Sequence, residues 1–328
     1  MKISACYIVK DSAQDLARSL KSFAEFVDEI IVVDTGSADD TVAVAESFGA
    51  KIFHEAWADD FSAPRNLALS KVTGDWIVFL DADEFFVDDT AKNLRPAIER
   101  AKKFRQQGML VHLVNVDADA DNKILGTDYV MRIFKNLRGL HYVGKIHEEL
   151  RPTLREITFA PPNLLLLGHT GYSASLNKTK AARNLKLLLD ELAETKEPQR
   201  IYGYIAESYD GLGDAVNAEK FAVLDINSGT QSTRSYRILL KILSENPERL
   251  SERENFASMA VESFPLLPEF SAELAECFAA RGDYLRAVAH MRNALKKFKT
   301  YRGIEPTTFT AEIERFAALR AKSWVDKL

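Results

Sequence analysis

Four short apolar runs, separated by three stretches with helical spacing, fill the first 80 residues, and that alternation leaves few folds open. The runs are ISACYIV (3–9), EIIVVD (29–34), AKIFHE (50–55) and DWIVFL (75–80). Between them, residues 12–26 repeat Leu16, Leu20, Phe23 and Phe26 at helical spacing. Residues 37–49 and 61–72 read as two further helices. Ser37 followed three residues on by Asp40 predicts a capping box, and Gly49 suits the helix stop. Strands this apolar are buried on both faces, so the first half is expected to be α/β: a mostly parallel sheet with helices on both sides.

In such sheets ligands lie beyond the carboxyl ends of the strands. The rule gathers Lys10-Asp11, Asp34-Thr35-Gly36-Ser37 and Asp81-Ala82-Asp83 at one edge. The last group is the most telling. The run WIVFL ends in three carboxylates, Asp81, Asp83 and Glu84. Bare burial of such a cluster costs too much, so it is hydrated, paired with cations or holding a metal. In an extended segment Asp81 and Asp83 point to the same side, an arrangement that suits a hard divalent cation with oxygen ligands.

The rhythm changes near residue 108. MLVHLVNV, DYVMRIFKN, LHYVGKIHEEL and NLLLLGHTGY read as β-hairpins and loops up to about residue 170. From about 176 the pattern is helical, with Leu185, Leu188, Leu189 and Leu192 marking one face. YIAESYDGLGDAVNAEKFAV (204–223) overlays ELAECFAARGDYLRAVAHMR (273–292), placing Gly213-Asp214 on Gly282-Asp283. The offset is about twice the tetratricopeptide period of roughly 34 residues. Two helical patterns fall between, near 233–244 and 252–264, and another follows near 309–324. The expectation is a domain over 1–174 and an all-α, tetratricopeptide-like domain over 175–328.

The formal net charge of −5 disfavours a nucleic-acid-binding surface. Cys6 and Cys277 form neither a ligand pattern nor a disulfide framework, which points to buried thiols and a cytoplasmic setting. The longest apolar run after the N-terminus, NLLLLG, is far too short for a transmembrane segment.

VVDTGSADDT (32–41), FSAPRNLALS (61–70) and GDWIVFLDADE (74–84) together resemble family 2 glycosyltransferases of the GT-A fold, over roughly residues 1–172. The helical half is similar to members carrying tetratricopeptide repeats, among them the sublancin-type peptide S-glycosyltransferases. GKIHEEL (144–150) and GHTGY (168–172) are similar to that subgroup and to the lipopolysaccharide-core glucosyltransferases. The resemblance implies a GT-A mixed sheet and a UDP-sugar donor. Val9 to Asp11 would border the nucleotide, Asp34 would accept from the uracil ring, and Gly36 would let the backbone come close. Arg65 would lie near the base or diphosphate, where its fork of donors suits either. Asp81 would face the ribose or the metal, Asp83 would be the main ligand, and His169 would complete the site. Two carboxylates with an imidazole lean toward Mn²⁺ over Mg²⁺. The chain departs from the family's usual pattern at Thr35, where many relatives have Asp, and at Lys10-Asp11, where Tyr-Asn is commoner.

Family 2 enzymes are expected to invert the anomeric centre, which demands one general base beside the acceptor nucleophile. Glu148 is the candidate, with Glu149 expected to face the opposite way on a strand. His147 is a candidate to orient Glu148. Trp57, Phe61, Phe85 and Tyr172 are candidates for stacking on sugar or uracil, with Trp57 foremost and core packing the first reading for Phe61 and Phe85; His54, His112, His141 and His290 read as structural.

The leading reading is an inverting, metal-dependent transferase acting on a peptide or protein, with lipopolysaccharide or another glycan acceptor as the rival. Helical repeats also suggest a homodimer. A nucleotidyltransferase would need a Gly-rich loop after the first strand, where this chain has VKDSAQ. An inactive scaffold fits poorly with the retained Arg65, Asp81, Asp83 and Glu148.

Overall fold

The computed structural model describes residues 1–117, 123–170, 174–303 and 305–328, with the backbone alone over 174–179. The chain divides into two compact units, Met1–Thr179 and Lys180–Leu328.

The first unit opens as the alternation predicts: β1 (Ile3–Val9), α1 (Ala13–Phe23), β2 (Glu29–Asp34), α2 (Thr41–Ser47), β3 (Lys51–His54), α3 (Ser62–Lys71) and β4 (Trp76–Phe79). There follow β5 (Glu84–Phe86), α4 (Leu94–Lys103), β6 (Gly108–Asp117), β7 (Lys123–Lys135), β8 (His141–Val143), β9 (Glu149–Arg151), β10 (Ile157–Ala160) and β11 (Leu166–His169). The lateral order is β3-β2-β1-β4-β7-β6-β11-β5, with β10 also on β6; β8 and β9 pair separately.

Strands β3, β2, β1 and β4 run parallel, and β7 enters antiparallel between β4 and β6. The sheet is therefore mixed. The hairpins expected over 108–170 form at β6–β7 and β8–β9. β10 and β11, however, lie parallel to β6. Their apolar runs specify strands but carry no signal for partner or direction.

Period-two burial accounts for both faces. Ile3, Ala5, Tyr7 and Val9 of β1 join Ile30 and Val32 of β2 in one core. Leu16, Leu20 and Phe23 of α1 and Leu94 and Ile98 of α4 cover it. Cys6, Ile31, Val33, Ile77 and Phe79 face the other way, packed with Ala68 of α3. Cys6 and Cys277 are free and buried.

Ser37 is not a helix cap. Asp34 accepts from its backbone N–H, and α2 starts at Thr41, whose N–H and hydroxyl both donate to Asp39. Gly49 does end that turn, at φ +73°.

α5 (Ala174–Glu194) runs from the end of the first unit into the second. Among the described residues there follow α6 (Tyr202–Leu212), α7 (Ala215–Asn227), α8 (Thr233–Ser244), α9 (Leu250–Ser263), α10 (Pro268–Ala280), α11 (Tyr284–Thr300) and α12 (Ala311–Val325). The two overlaid sequence segments adopt the same corner. Gly213 and Gly282 take left-handed φ of +83° and +79°. Asp214 and Asp283 cap α7 and α11, accepting from Asn217 N and Arg286 N. The matched alanines 206, 218, 275 and 287 are all fully buried, as close helix approach requires. Among the described residues no helix is long and apolar enough to cross a membrane.

Candidate active site

The loops after β1 and β2 are tied together before any ligand is considered. Val9 O accepts from Thr35 N at 2.9 Å and Thr35 Oγ1 at 3.1 Å. Asp11, at φ +46°, receives Ala38 N on Oδ1 at 2.7 Å. Asp34 is nearly buried, and its carboxylate accepts from Gly36 N, Ser37 N and His54 Nδ1. Burial pushes its pKa up, but these hydrogen bonds outweigh it and hold the group below the ordinary carboxylate range. Gly36 sits at φ +104°, a conformation side chains rarely adopt, so the turn itself demands glycine. His54, read as structural, is half of this arrangement at 3.3 Å from Asp34.

The centre of the site is an alternating chain of charges: Glu148, Arg65, Asp81, Arg132, Glu84. Arg65 Nε holds Glu148 Oε1, and Nη2 donates to Asp81 Oδ1 at 2.8 Å. Arg132 Nη2 reaches Asp81 Oδ2 and Glu84 Oε1, each at 2.7 Å, and its Nε reaches Glu84 Oε2 at 2.7 Å. The backbone N–H of Asp81 also donates to Glu84. Burial would raise the Asp81 pKa, yet Arg132 and Arg65 drive it far below the usual range. Glu84 shifts the other way, raised by its burial and by the charge on Asp81.

Local structure explains the convergence. Asp60 accepts from Ser62 N and Ala63 N, capping α3. Asn66 exchanges hydrogen bonds with both backbone groups of Tyr142, and Ser62 Oγ donates to Gly144 O. These ties stitch α3 to the β8 segment, so Arg65 and Glu148 meet across 83 residues of sequence. The guanidinium of Arg65 lies 4.9 Å from the Phe79 ring centre and 5.5 Å from that of Tyr142. Its Nη1 is buried and finds no hydrogen-bond partner among the described residues. Glu148, just ahead of β9, is 11% exposed, whereas Glu149 is 43% exposed and pairs with Arg151. His147 takes φ +50° in this turn.

Asp83 and His169 meet by sheet register. β5 and β11 pair antiparallel, setting His169 opposite Glu84 and next to Asp83. Asp83 Oδ2 and His169 Nε2 stand 3.3 Å apart. Of the three residues expected to hold a metal, Asp81, Asp83 and His169, the structure sets Asp83 and His169 side by side. Both oxygens of Asp81 face guanidinium groups, and no three His, Cys, Asp or Glu side chains among the described residues form a metal cluster. Two protein ligands still fit Mg²⁺ or Mn²⁺, which typically take one or two carboxylates and fill the remaining positions with waters and substrate phosphates. The 3.3 Å spacing is close to the ~3.0 Å separating adjacent ligands of an octahedral ion bound at about 2.1 Å. The charge chain also carries one carboxylate more than its guanidinium groups, and Asp83 adds another.

Trp57 is half-buried, edge-on to Phe61 at 4.7 Å, with Nε1 on Asp59 at 2.9 Å. Phe85 lies under the Arg18 guanidinium, and Tyr172 falls outside the described residues. Arg132 and Asn115 join the site without having been expected there, and Glu84 of the acidic triplet takes Arg132 as its cation. An arginine inside the apolar run YVMRIF was the one available signal for Arg132.

A mixed sheet in this order, with acidic loops at the carboxyl ends of its parallel strands, is the architecture expected of a GT-A fold. Residues 4–147 match the family model described as glycosyl transferase family 2. A TPR repeat-containing protein of Synechococcus elongatus is 31% identical over 241 residues, covering 70% of this chain and 57% of that protein. The SPbeta prophage-derived glycosyltransferase SunS of Bacillus subtilis is 28% identical over 205 residues, covering 61% and 47%. The chain thus spans about half the length of these curated relatives. The solved structure of S. aureus TarS 1–349 in complex with UDP aligns over 92% of this chain and 93% of that one, at 15% identity and a TM-score of 0.45.

Proposed function

We propose that this chain is an inverting glycosyltransferase that takes a sugar from a UDP-sugar with the help of Mn²⁺ or Mg²⁺. The observation that carries the reading is the Asp83–His169 pair standing beside a charge chain that ends on Glu148. One end of this site suits a cation and the other a proton acceptor.

Asp83 and His169 would hold the ion, which when bound supplies charge to stabilise the departing diphosphate. Val9, Asp11, Asp34 and Gly36 form the nucleotide edge. The carboxylate of Asp34 is already oriented by backbone donors and keeps acceptor capacity for a uracil N–H. Arg65 is pinned between Asp81 and Glu148, and its Nη1, which finds no partner among the described residues, is a donor suited to a phosphate oxygen. Glu148 takes the proton of the acceptor nucleophile as the new bond to the anomeric carbon forms and the bond to the diphosphate breaks. Arg65 holds Oε1, so the proton goes to Oε2. In this scheme Asp81 acts by locking both arginines and not as a metal ligand.

The acceptor we favour is a peptide or protein, because stacked helix pairs of the second unit's kind bind protein chains. The same helices are a route to a homodimer.

The test is donor hydrolysis across a panel of UDP-sugars, with Mn²⁺, with chelator, and in Asp83→Ala. We expect hydrolysis of one donor that needs the ion and is lost in the variant. Equal hydrolysis by variant and wild type would overturn the metal assignment. No thermal stabilisation by UDP with Mn²⁺ would overturn the nucleotide assignment.

A further inference from the structure

Asn115 occupies a position where β6 otherwise buries apolar side chains. Met109, Val111 and Leu113 precede it on the same face and belong to the main core. A buried amide there needs partners, because leaving it unsatisfied costs the desolvation of its polar groups with nothing in return. It has two. Parallel pairing of β6 with β11 sets Asn115 beside His169, and Asn115 Oδ1 lies 2.8 Å from His169 Nδ1. On its other side Asn115 Nδ2 donates to Asp128 Oδ2 at 3.3 Å, from β7.

These contacts have only one consistent arrangement of protons. A carboxylate accepts, so the amide nitrogen must face Asp128. The amide oxygen therefore faces His169, and an amide oxygen also only accepts. His169 Nδ1 must then carry hydrogen. Asp83 Oδ2 is also an acceptor, 3.3 Å from Nε2, but the 2.8 Å contact at Nδ1 is the shorter one, so in the neutral ring the hydrogen stays on Nδ1 and the lone pair falls to Nε2.

We infer that Asn115, oriented by Asp128, is a positioning residue that fixes His169 as the Nδ1–H tautomer and so presents Nε2 beside Asp83 to a divalent cation. The inference rests on the metal reading above for the cation, and on hydrogen-bond chemistry alone for the tautomer. Outer partners of this kind typically change metal affinity 10- to 100-fold when removed. Asp128 does this by denying the amide its flipped orientation.

The experiment uses the full chain labelled with ¹⁵N-histidine and free of metal, at a pH where the ring is neutral. Two-bond ¹H–¹⁵N spectra then report which nitrogen of His169 is protonated. Wild type is expected to be Nδ1–H. Asn115→Ala should lose that preference, and Asp128→Ala should shift the ring toward Nε2–H. Asn115→Asp, which still offers an acceptor, should retain it. In parallel, electron paramagnetic resonance of Mn²⁺ titrated in the presence of UDP should give about 10-fold weaker binding for Asn115→Ala. Asn115→Asp should stay within about 3-fold of wild type. An Nε2–H ring in wild type, or an unchanged ring in Asp128→Ala, overturns the inference. Should Asn115→Ala not fold, Asp128→Ala and Asn115→Asp decide the matter between them. A wild type with the Nδ1–H spectrum and no Mn²⁺ binding would retire the metal reading and leave the tautomer assignment standing.

Discussion

Arg65 Nη2 donates to Asp81 Oδ1 at 2.8 Å, joining a helix of one sheet face to the loop that ends β4. That single contact connects the β4 mouth to the β9 segment, because the same guanidinium also holds Glu148. Asp81 receives Arg132 on its other oxygen, so a shift of either arginine is felt through the whole row. Site geometry and fold stability are therefore hard to separate here, and the predictions treat them with different readouts.

Arg132 is the joint whose loss should cost most. Glu84 is almost fully buried and takes both of its guanidinium contacts from Arg132. Arg132→Met leaves that carboxylate buried without its cation, and we expect a loss of about 3 kcal/mol in urea unfolding. Arg132→Lys should not restore it, because a point ammonium cannot span Glu84 and Asp81 with a planar fork. Equal unfolding midpoints for Lys and wild type would refute the bidentate account.

Much of the parallel sheet was legible beforehand because its signal is local. β1 and β2 end where their apolar runs end, and Gly213-Asp214 and Gly282-Asp283 mark matching corners. Asp81 and Asp83 could be put at a strand mouth for the same reason. What was not legible depends on pairing between distant segments. Arg132 finds Asp81 and Glu84 from 51 and 48 residues away, and nothing beside it in sequence marks the partners. Asn115 is 54 residues from His169 and lies next to it only because β11 runs parallel to β6. Ser37 was misread as a cap because the pattern is identical whether its backbone N–H serves a helix or the Asp34 turn.

Glu29 should make stability fall in acid. Its carboxylate is buried and accepts from Ser4 Oγ, Thr73 N, Thr73 Oγ1, Lys2 Nζ and Lys51 Nζ. Burial raises its pKa, but these donors outweigh burial and place the folded value well below the ordinary 4.5. A depressed folded value contributes stability that is present above the unfolded pKa and lost as pH falls toward the folded one. Urea unfolding of wild type and Glu29→Gln should differ by about 2 kcal/mol at pH 7, and the gap should close progressively below about pH 5. A gap that widens in acid would reverse the sign of the argument.

The two helix corners of the second unit offer a matched pair. Asp214 and Asp283 make the same cap at corresponding positions and share no partner. Asp214→Ala and Asp283→Ala should each cost about 1 kcal/mol. In the double variant the losses should add to within about 0.5 kcal/mol. Circular dichroism during thermal unfolding measures both quantities, and a cost confined to one corner would break the proposed equivalence of the pairs.

Glu148→Gln separates proton transfer from donor binding. Glutamine keeps an oxygen for Arg65 to hold, so the row of charges is shortened without being opened. It cannot accept a proton. If Glu148 is the general base, sugar transfer should fall by about 10²- to 10⁴-fold in kcat. Affinity for UDP with Mn²⁺, read by calorimetry, should stay within about 3-fold, because Asp83, His169 and Asp34 are untouched. A comparable loss in both quantities would make Glu148 a support for Arg65 instead, acting on the donor through the guanidinium. Loss of transfer with metal-dependent donor hydrolysis retained would place the defect at the acceptor proton, the one step that needs a carboxylate at this position.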